Sequence, residues 1–165
     1  MSMYFIGIDI SKYKHDCCII SAADQKVVSK VTIKNNKAGF NELLTIIHSL
    51  ANPADIRIGF ESTAHYALNL ELFLENSLLT FMEVNPVLIS EYKKSKTLRR
   101  TKTDSVDCES IARWLMTVEY KPHSKGFYHA YSLKSLTRLR DKLIRQRSFY
   151  LVKITNVLDH TFPEF

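Results

Sequence analysis

Cysteine is scarce in this sequence and follows no recognisable spacing. The chain has three cysteines, which is an odd number, and no two of them form a C-x-x-C pair: Cys17, Cys18 and Cys108. Disulfide frameworks and structural zinc sites rely on even sets or on paired spacings. The sequence therefore argues against both, and we expect reduced thiols in a cytoplasmic protein.

Long apolar runs are also missing. No stretch approaches the roughly 20 residues of a membrane-spanning helix, and we expect no secretory signal and no membrane partner. Hydrophobic residues make up 45% of the chain and charged residues 24%, as in ordinary globular domains. A length of 165 residues suits one core-bearing domain with an appended element.

Glycine is limited to Gly7, Gly39, Gly59 and Gly126. Sugar kinases and actin-like ATPases have a first strand that reads Gly-Ile-Asp, as this chain does, but they bind phosphate through glycine-rich loops. Four scattered glycines cannot form such loops, so this class of enzyme is disfavoured.

Positive charge, in contrast, is in surplus. Lysine and arginine number 23 against 17 acidic residues, which gives a formal charge of +6 and a pI near 9.2. A surplus of this size suits a polyanionic partner such as a nucleic acid.

The apolar pattern predicts a mixed α/β sheet flanked by helices. Strands at 3–11, 15–21 and 27–33 are joined by turns too short for a parallel crossover, so we expect them to pair antiparallel. Helices and strands then alternate: a helix capped by Asn35 or Asn36, a strand at 56–60, a helix at 65–75 with Leu68, Leu72 and Phe73 inward, a strand at 79–84, and helices at 86–95 and 105–117.

Asp9 is a lone carboxylate in the apolar first strand. Side chains alternate along a strand, so Asp9 shares a face with Gly7, where no side chain crowds it. An ionised carboxylate inside a sheet costs several kcal/mol unless a cation or good donors meet it. Asp9 is therefore either a cap at a strand end or a metal ligand whose partners lie elsewhere in the chain.

Three further acids are candidate partners of Asp9. Glu61 ends a later strand, and ligands in such sheets favour the carboxyl ends of the strands. Asp104 and Asp107 share one face at the start of a helix, although helix capping is an alternative explanation for this pair. Carboxylate oxygens suit Mg²⁺ or Mn²⁺, and two such ions about 4 Å apart can cleave a phosphodiester.

Two clusters of cations are candidates for nucleic-acid binding, with a solvated surface as the alternative. They lie in the loop 93–102 and in a long predicted helix at 132–160, and the candidate residues are Lys93, Lys94, Lys96, Arg99, Arg100, Lys102, Lys134, Arg138 and Arg145.

The predicted helix at 132–160 also carries apolar pairs seven residues apart: Leu143-Ile144, Tyr150-Leu151 and Val157-Leu158. This repeat indicates a coiled-coil seam or a helix hairpin, with packing on its own domain as the alternative. We therefore predict a catalytic domain at 1–120, a linker at 121–131 and a basic coiled-coil-type helix at 132–165 that forms a homodimer or a higher oligomer.

Three motifs follow one another along the chain: Tyr4-Phe-Ile-Gly-Ile-Asp-Ile-Ser-Lys12, Gly59-Phe-Glu-Ser-Thr-Ala-His-Tyr66 and Lys102-Thr-Asp-Ser-Val-Asp-Cys-Glu-Ser-Ile-Ala112. In this order they resemble the N-terminal RuvC-like domain of the DEDD transposases of bacterial insertion sequences, which are related to the Piv site-specific DNA invertases. The basic helix from Ser132 resembles the linker coiled coil of that family.

The resemblance implies a ribonuclease-H-like fold in which Asp9, Glu61, Asp104 and Asp107 bind two Mg²⁺ or Mn²⁺ ions. It also implies metal-dependent cleavage and exchange of DNA strands, with DNA and a structured guide RNA as partners. Family members carry a second, C-terminal domain with an attacking serine, which nothing here resembles. We therefore expect that this polypeptide alone does not complete recombination.

Two other functions remain open. One is a Holliday-junction resolvase of the same fold, and the other is a non-catalytic module for nucleic-acid binding or dimerisation. A resolvase cuts branched DNA with Mg²⁺ by itself, whereas a binding module holds DNA or RNA and cuts neither.

Overall fold

The computed structural model describes residues 3–61, 66–96, 104–123 and 127–164, without the side chains of residues 96, 104–106 and 127–132. The chain divides into two units, residues 1–123 and residues 124–165. The predicted boundaries at residues 120 and 132 stay predictions.

The first unit contains five strands and four α-helices in its described part. In chain order they are β1 (Tyr4–Ile10), β2 (Lys14–Ser21), β3 (Val27–Lys34), α1 (Lys37–Leu50), β4 (Ile56–Glu61), α2 (Leu68–Asn76), β5 (Phe81–Val84), α3 (Pro86–Lys96) and α4 (Asp104–Leu115). A short 3-10 turn at Pro53–Asp55 leads into β4.

The five strands form one mixed sheet in the order β3-β2-β1-β4-β5. The β1–β2 and β2–β3 pairs are antiparallel, as their short turns require. The β1–β4 and β4–β5 pairs are parallel, with helical connections between them. The predicted mixed α/β sheet is confirmed.

Helix α1 forms as its sequence predicts. The side chain of Asn36 caps the helix by accepting a hydrogen bond from the backbone N–H of Gly39, at 3.0 Å. Phe40, Leu43 and Ile47 then recur at helical spacing and are buried. The ring of Phe40 stacks on the buried imidazole of His15, with 5.9 Å between the ring centroids.

The core-facing side of helix α2 agrees only in part with the prediction. Leu68 and Phe73 are half-buried, and the ring of Phe73 lies 5.4 Å from that of Phe40. Leu72, however, is 42% exposed, and Leu70 and Leu74 are buried in its place. Apolar residues are so frequent in this segment that several stripes of helical spacing compete. The structure selects the stripe that continues from the buried Ala67.

Helix α4 packs across the sheet and contributes to two apolar clusters. Ile111, Trp114 and Leu115 pack with residues of β5 and α3, and Cys108 and Ala112 pack with β2. The start of α4 is therefore held by the same contacts that build the core.

The second unit contains α5, which runs from Phe127 to Thr161. It begins five residues earlier than the predicted start at Ser132, because no glycine or proline lies between Gly126 and Ser132. Every described side chain within α5 is exposed, including those of the apolar pairs. Within the described residues, no helix has the length and apolar character needed to cross a membrane.

Candidate metal centre

Asp9 and Glu61 are neighbours at the carboxyl ends of two parallel strands. The β1–β4 register pairs Gly7 with Gly59 and Ile8 with Phe60. The next residues in this register are Asp9 and Glu61. Adjacent strands lie about 4.8 Å apart, and residues in register project to the same face. Two carboxylates that are 52 positions apart in sequence therefore become direct neighbours.

The face to which these acids belong is identified by two glycines. A Cβ atom added to Gly7 would lie 2.2 Å from the carbonyl oxygen of Cys108 and 2.4 Å from the backbone nitrogen of Ala112. A Cβ atom added to Gly59 would lie 2.7 Å from Cδ1 of Leu115. Both glycines therefore face α4 at close contact.

Asp9 and Glu61 follow these glycines by two residues, so strand alternation puts both acids on the face that α4 covers. Gly7 was predicted to leave room for the carboxylate of Asp9. In the structure it makes room for the backbone of α4 instead.

Asp107 lies in the first turns of α4 and binds a lysine. Its Oδ1 atom accepts a hydrogen bond from Nζ of Lys93 in α3, at 2.8 Å. Burial raises the pKa of Glu61; the positive charge of Lys93 lowers it, and the negative charge of Asp107 raises it further. These shifts indicate that Glu61, Lys93 and Asp107 lie within electrostatic range of one another.

Asp104 is the first residue of α4, and its side chain lies outside the described residues. Its spacing from Asp107 puts the two on one helix face. Among the described residues, which exclude the Asp104 side chain, no three Asp, Glu, His or Cys side chains form a metal-binding group. The four-acid site therefore stays a prediction.

A fifth acid, Asp16, was missed by sequence reasoning. The antiparallel β1–β2 register pairs Asp16 directly with Asp9, so both side chains project to the same face. Asp16 accepts hydrogen bonds from the hydroxyl of Thr32 and from Nζ of Lys14, the latter at 3.1 Å. The tight turn after β1 was the signal that could have revealed this pair, since a short hairpin determines its own register.

Ion pairs orient α4 across the sheet. Glu109 binds Nζ of Lys30 in β3 and Nε of Arg113, each at 2.8 Å. The hydrogen bond from Lys30 lowers the pKa of Glu109. Because Glu109 lies two residues after Asp107, these contacts help hold the acidic start of the helix against the sheet.

The three cysteines are buried free thiols, and Cys18 and Cys108 pack together in one apolar cluster. A hydrogen bond with Cys108, together with burial, raises the pKa of Cys18. Cys18 is therefore a poor nucleophile, which suits a packing role, whereas the same hydrogen bond lowers the pKa of Cys108.

The predicted nucleic-acid contacts are only partly described. Lys93 binds Asp107, and Lys94 is exposed on α3. The Lys96 side chain and the residues Arg99, Arg100 and Lys102 lie outside the described residues. Lys134, Arg138 and Arg145 are exposed on α5, in the second unit. Their contacts with nucleic acid stay predictions.

The sheet order and the flanking helices define a ribonuclease-H-like fold of the RuvC type. The structure of T. thermophilus RuvC in complex with a Holliday junction substrate aligns with a TM-score of 0.51 and 11% identity, over 73% of this chain and 99% of that one. A second Thermus thermophilus RuvC structure gives the same score and identity, over 73% and 100%. At this identity the likeness concerns the fold alone.

A family model for the DEDD transposases of the IS110 type, described as "Transposase", matches residues 6–163. The chain belongs to this transposase family, as the three motifs predicted. The pilin gene-inverting proteins of Moraxella bovis and Moraxella lacunata are each 34% identical to it over 115 residues, or 69% of this chain. The chain spans about a third of the length of these curated relatives, 34% in each case.

Proposed function

We propose that this chain is the N-terminal catalytic domain of a DNA transposase or recombinase that cleaves and exchanges DNA strands with divalent metal ions. In this proposal, Asp9, Glu61, Asp104 and Asp107 together hold two Mg²⁺ or Mn²⁺ ions. The observation that carries the proposal is the β1–β4 register, because it makes Asp9 and Glu61 neighbours on the face that α4 covers.

The donor set fits such ions. All four side chains are carboxylates, the ligands that Mg²⁺ and Mn²⁺ prefer. Burial raises the pKa of Glu61 and thereby disfavours its ionised form. A bound cation would offset this effect, because it favours the ionised carboxylate that a metal requires. The ammonium group of Lys93 on Asp107 indicates that this edge of the sheet accommodates positive charge.

The protein residues have distinct parts in the proposed reaction. In this proposal, β1 and β4 hold Asp9 and Glu61 side by side, and α4 supplies Asp107, whose charge acts on Glu61. Bound divalent ions would supply an activated water or hydroxyl group and neutralise charge on the phosphodiester. Rigid elements suit this task because the reacting groups must be held to within about 0.5 Å.

DNA is the proposed substrate, and a structured guide RNA is the proposed partner. The relatives named as gene-inverting proteins and the RuvC complex with a Holliday junction support DNA as the substrate class. The net charge of +6 and the exposed cations of α5 supply the electrostatic attraction that a nucleic-acid backbone requires. The RNA follows from the family resemblance.

Dimerisation through α5 is the third part of the proposal. Leu143, Tyr150 and Val157 recur every seven residues, and each side chain is more than half exposed. Exposed apolar residues at this spacing are typical of a seam that pairs with another helix. A second copy of α5 is the partner that the proposal assigns.

The metal site is tested by titrating Mn²⁺ into the wild type and into Asp9→Asn. The variant keeps the shape of the side chain but loses its charge, so we expect Mn²⁺ binding to weaken at least tenfold. Asp24→Asn is the matched control, because Asp24 lies in the exposed turn between β2 and β3. Equal binding by all three proteins would refute the metal assignment.

The reaction is tested with branched DNA and with linear element ends, each with and without Mg²⁺. We expect binding that weakens steeply as salt concentration rises, since counterions are released on binding. Cleavage of Holliday junctions by this chain alone would favour the resolvase alternative. The assay is repeated after addition of the C-terminal domain of a full-length member of the family. Binding without cleavage under every one of these conditions would favour a non-catalytic module.

A further inference from the structure

Lys93 binds one acid of the candidate metal centre and lies within electrostatic range of a second. Its Nζ atom is 2.8 Å from Oδ1 of Asp107, and the two side chains are 30% and 23% exposed. The ammonium charge of Lys93 also lowers the pKa of Glu61, whereas the negative charge of Asp107 raises it. One lysine on α3 therefore compensates two carboxylates carried by two other elements, β4 and α4.

This arrangement has an electrostatic reason. Glu61 and Asp107 repel each other, and partial burial strengthens that repulsion because water screens it less. A cation within electrostatic range of both acids relieves the repulsion. Lysine suits such a position because its ammonium group is a compact charge on a flexible four-carbon stem, so it can leave without unfolding the helix that carries it.

We propose that Lys93 is a positioning residue whose ammonium group neutralises Asp107 in the metal-free protein. When a divalent ion binds, it displaces this ammonium group from Asp107. The inference rests on the proposed metal-binding function. A divalent ion coordinated by Asp107 competes with the ammonium group for the same carboxylate oxygens. Lys93 therefore stabilises the metal-free protein and lowers its affinity for metal. Once displaced, its ammonium group is available to a phosphate on the bound nucleic acid.

The experiment compares Mn²⁺ binding by the wild type, Lys93→Met and Lys93→Arg, measured by calorimetry or by the paramagnetic resonance of free Mn²⁺. Methionine keeps most of the length of the side chain without its charge, and arginine keeps the charge. The matched control is Lys37→Met, which removes the same charge from the exposed first residue of α1. We expect Lys93→Met to bind Mn²⁺ about fivefold more tightly, the factor that corresponds to a typical ion pair. Lys93→Arg and Lys37→Met should stay within about twofold of the wild type.

Thermal unfolding separates this role from a merely structural one. Without metal, Lys93→Met should melt at a lower temperature than the wild type, because the Glu61–Asp107 repulsion is no longer compensated. With saturating Mn²⁺ the difference should disappear. A structural role alone would lower the melting temperature equally in both conditions and leave the Mn²⁺ affinity unchanged, which would overturn the inference.

The outcomes for the two proposals are distinguishable. Absence of Mn²⁺ binding by the wild type would refute the metal site and the role of Lys93 together. Mn²⁺ binding that is equal or weaker in Lys93→Met would overturn the role of Lys93 and leave the metal site standing.

A measurement on the folded wild-type side chain covers the case in which Lys93→Met does not fold. Lysines are labelled by reductive ¹³C-methylation, and the Lys93 signal is identified by its loss in Lys93→Arg. We expect this signal to move as Mg²⁺ saturates the protein, while the Lys37 signal stays in place. An unchanged Lys93 signal at saturating Mg²⁺ would overturn the proposed displacement.

Discussion

Replacing Gly7 with alanine should destabilise the fold and impair the candidate metal centre. The new Cβ atom would lie 2.2 Å from the carbonyl oxygen of Cys108, whereas ordinary contact begins at 3.4 Å. The backbone of α4 would therefore have to retreat by about 1.2 Å, the difference between these two distances. Since the obstacle is backbone, no change of side-chain rotamer can relieve it.

Gly59→Ala is the matched control on the neighbouring strand. Its Cβ atom would meet the methyl carbons of Leu115, the nearest at 2.7 Å, and these lie at the far end of a flexible side chain. Overpacking costs about 1 to 3 kcal/mol, so we expect Gly7→Ala at or above the upper end of this range and Gly59→Ala near the lower end.

Urea unfolding followed by circular dichroism measures this difference, and Mn²⁺ titration measures the effect on the site. Because Cys108 adjoins Asp107, displacement of α4 should weaken Mn²⁺ binding in Gly7→Ala more than in Gly59→Ala. If the two variants unfold at the same urea concentration, the close contact between α4 and β1 does not make Gly7→Ala more destabilising than Gly59→Ala, and the reasoning is refuted.

Three further predictions concern pH, charge and assembly. Burial lowers the pKa of His15 below 6.5, so its contribution to stability is complete above pH 6.5 and is lost as pH falls below that value. Urea midpoints at pH 7.5 and 5.5 should therefore differ less in His15→Gln than in the wild type; an equal difference would exclude His15 as the cause. Burial raises the pKa of Glu61, so the charge of this side chain destabilises the folded protein at neutral pH. Glu61→Gln should therefore raise the melting temperature of the metal-free protein. The same variant should weaken Mn²⁺ binding. A lower melting temperature would contradict this assignment. Introducing aspartate at Leu143 and Val157 together should abolish dimers in light scattering, and a wild type that is monomeric at high concentration would contradict the proposed α5 seam.

Local patterns in the sequence predicted most of the sheet. Strands β1 to β3 are apolar segments separated by turns of a few residues, and such turns leave only antiparallel pairing available. The cap at Asn36 is likewise a local feature, since its side chain binds the helix that begins one residue later. Errors arose where the local signal was ambiguous, as on α2, whose buried face depends on what lies opposite.

The sequence by itself determined the residue types of the site. Asp9 and Glu61 stand out as lone acids at the ends of apolar segments, and Asp104 and Asp107 as a pair at a helix start. Residue type and spacing identify these acids because a carboxylate in an apolar segment needs a reason to be there. The three ordered motifs also predicted the transposase family.

The tertiary structure alone decided which residues meet. Asp9 and Glu61 lie close together because β1 and β4, which are distant in sequence, pair in a parallel register. Asp9 and Asp16 lie close together because β1 and β2 pair as a hairpin. The ion pair of Lys93 with Asp107 joins two helices whose approach no local rule describes. Side-chain chemistry is a property of each residue, whereas distance between side chains is a property of strand pairing and helix packing.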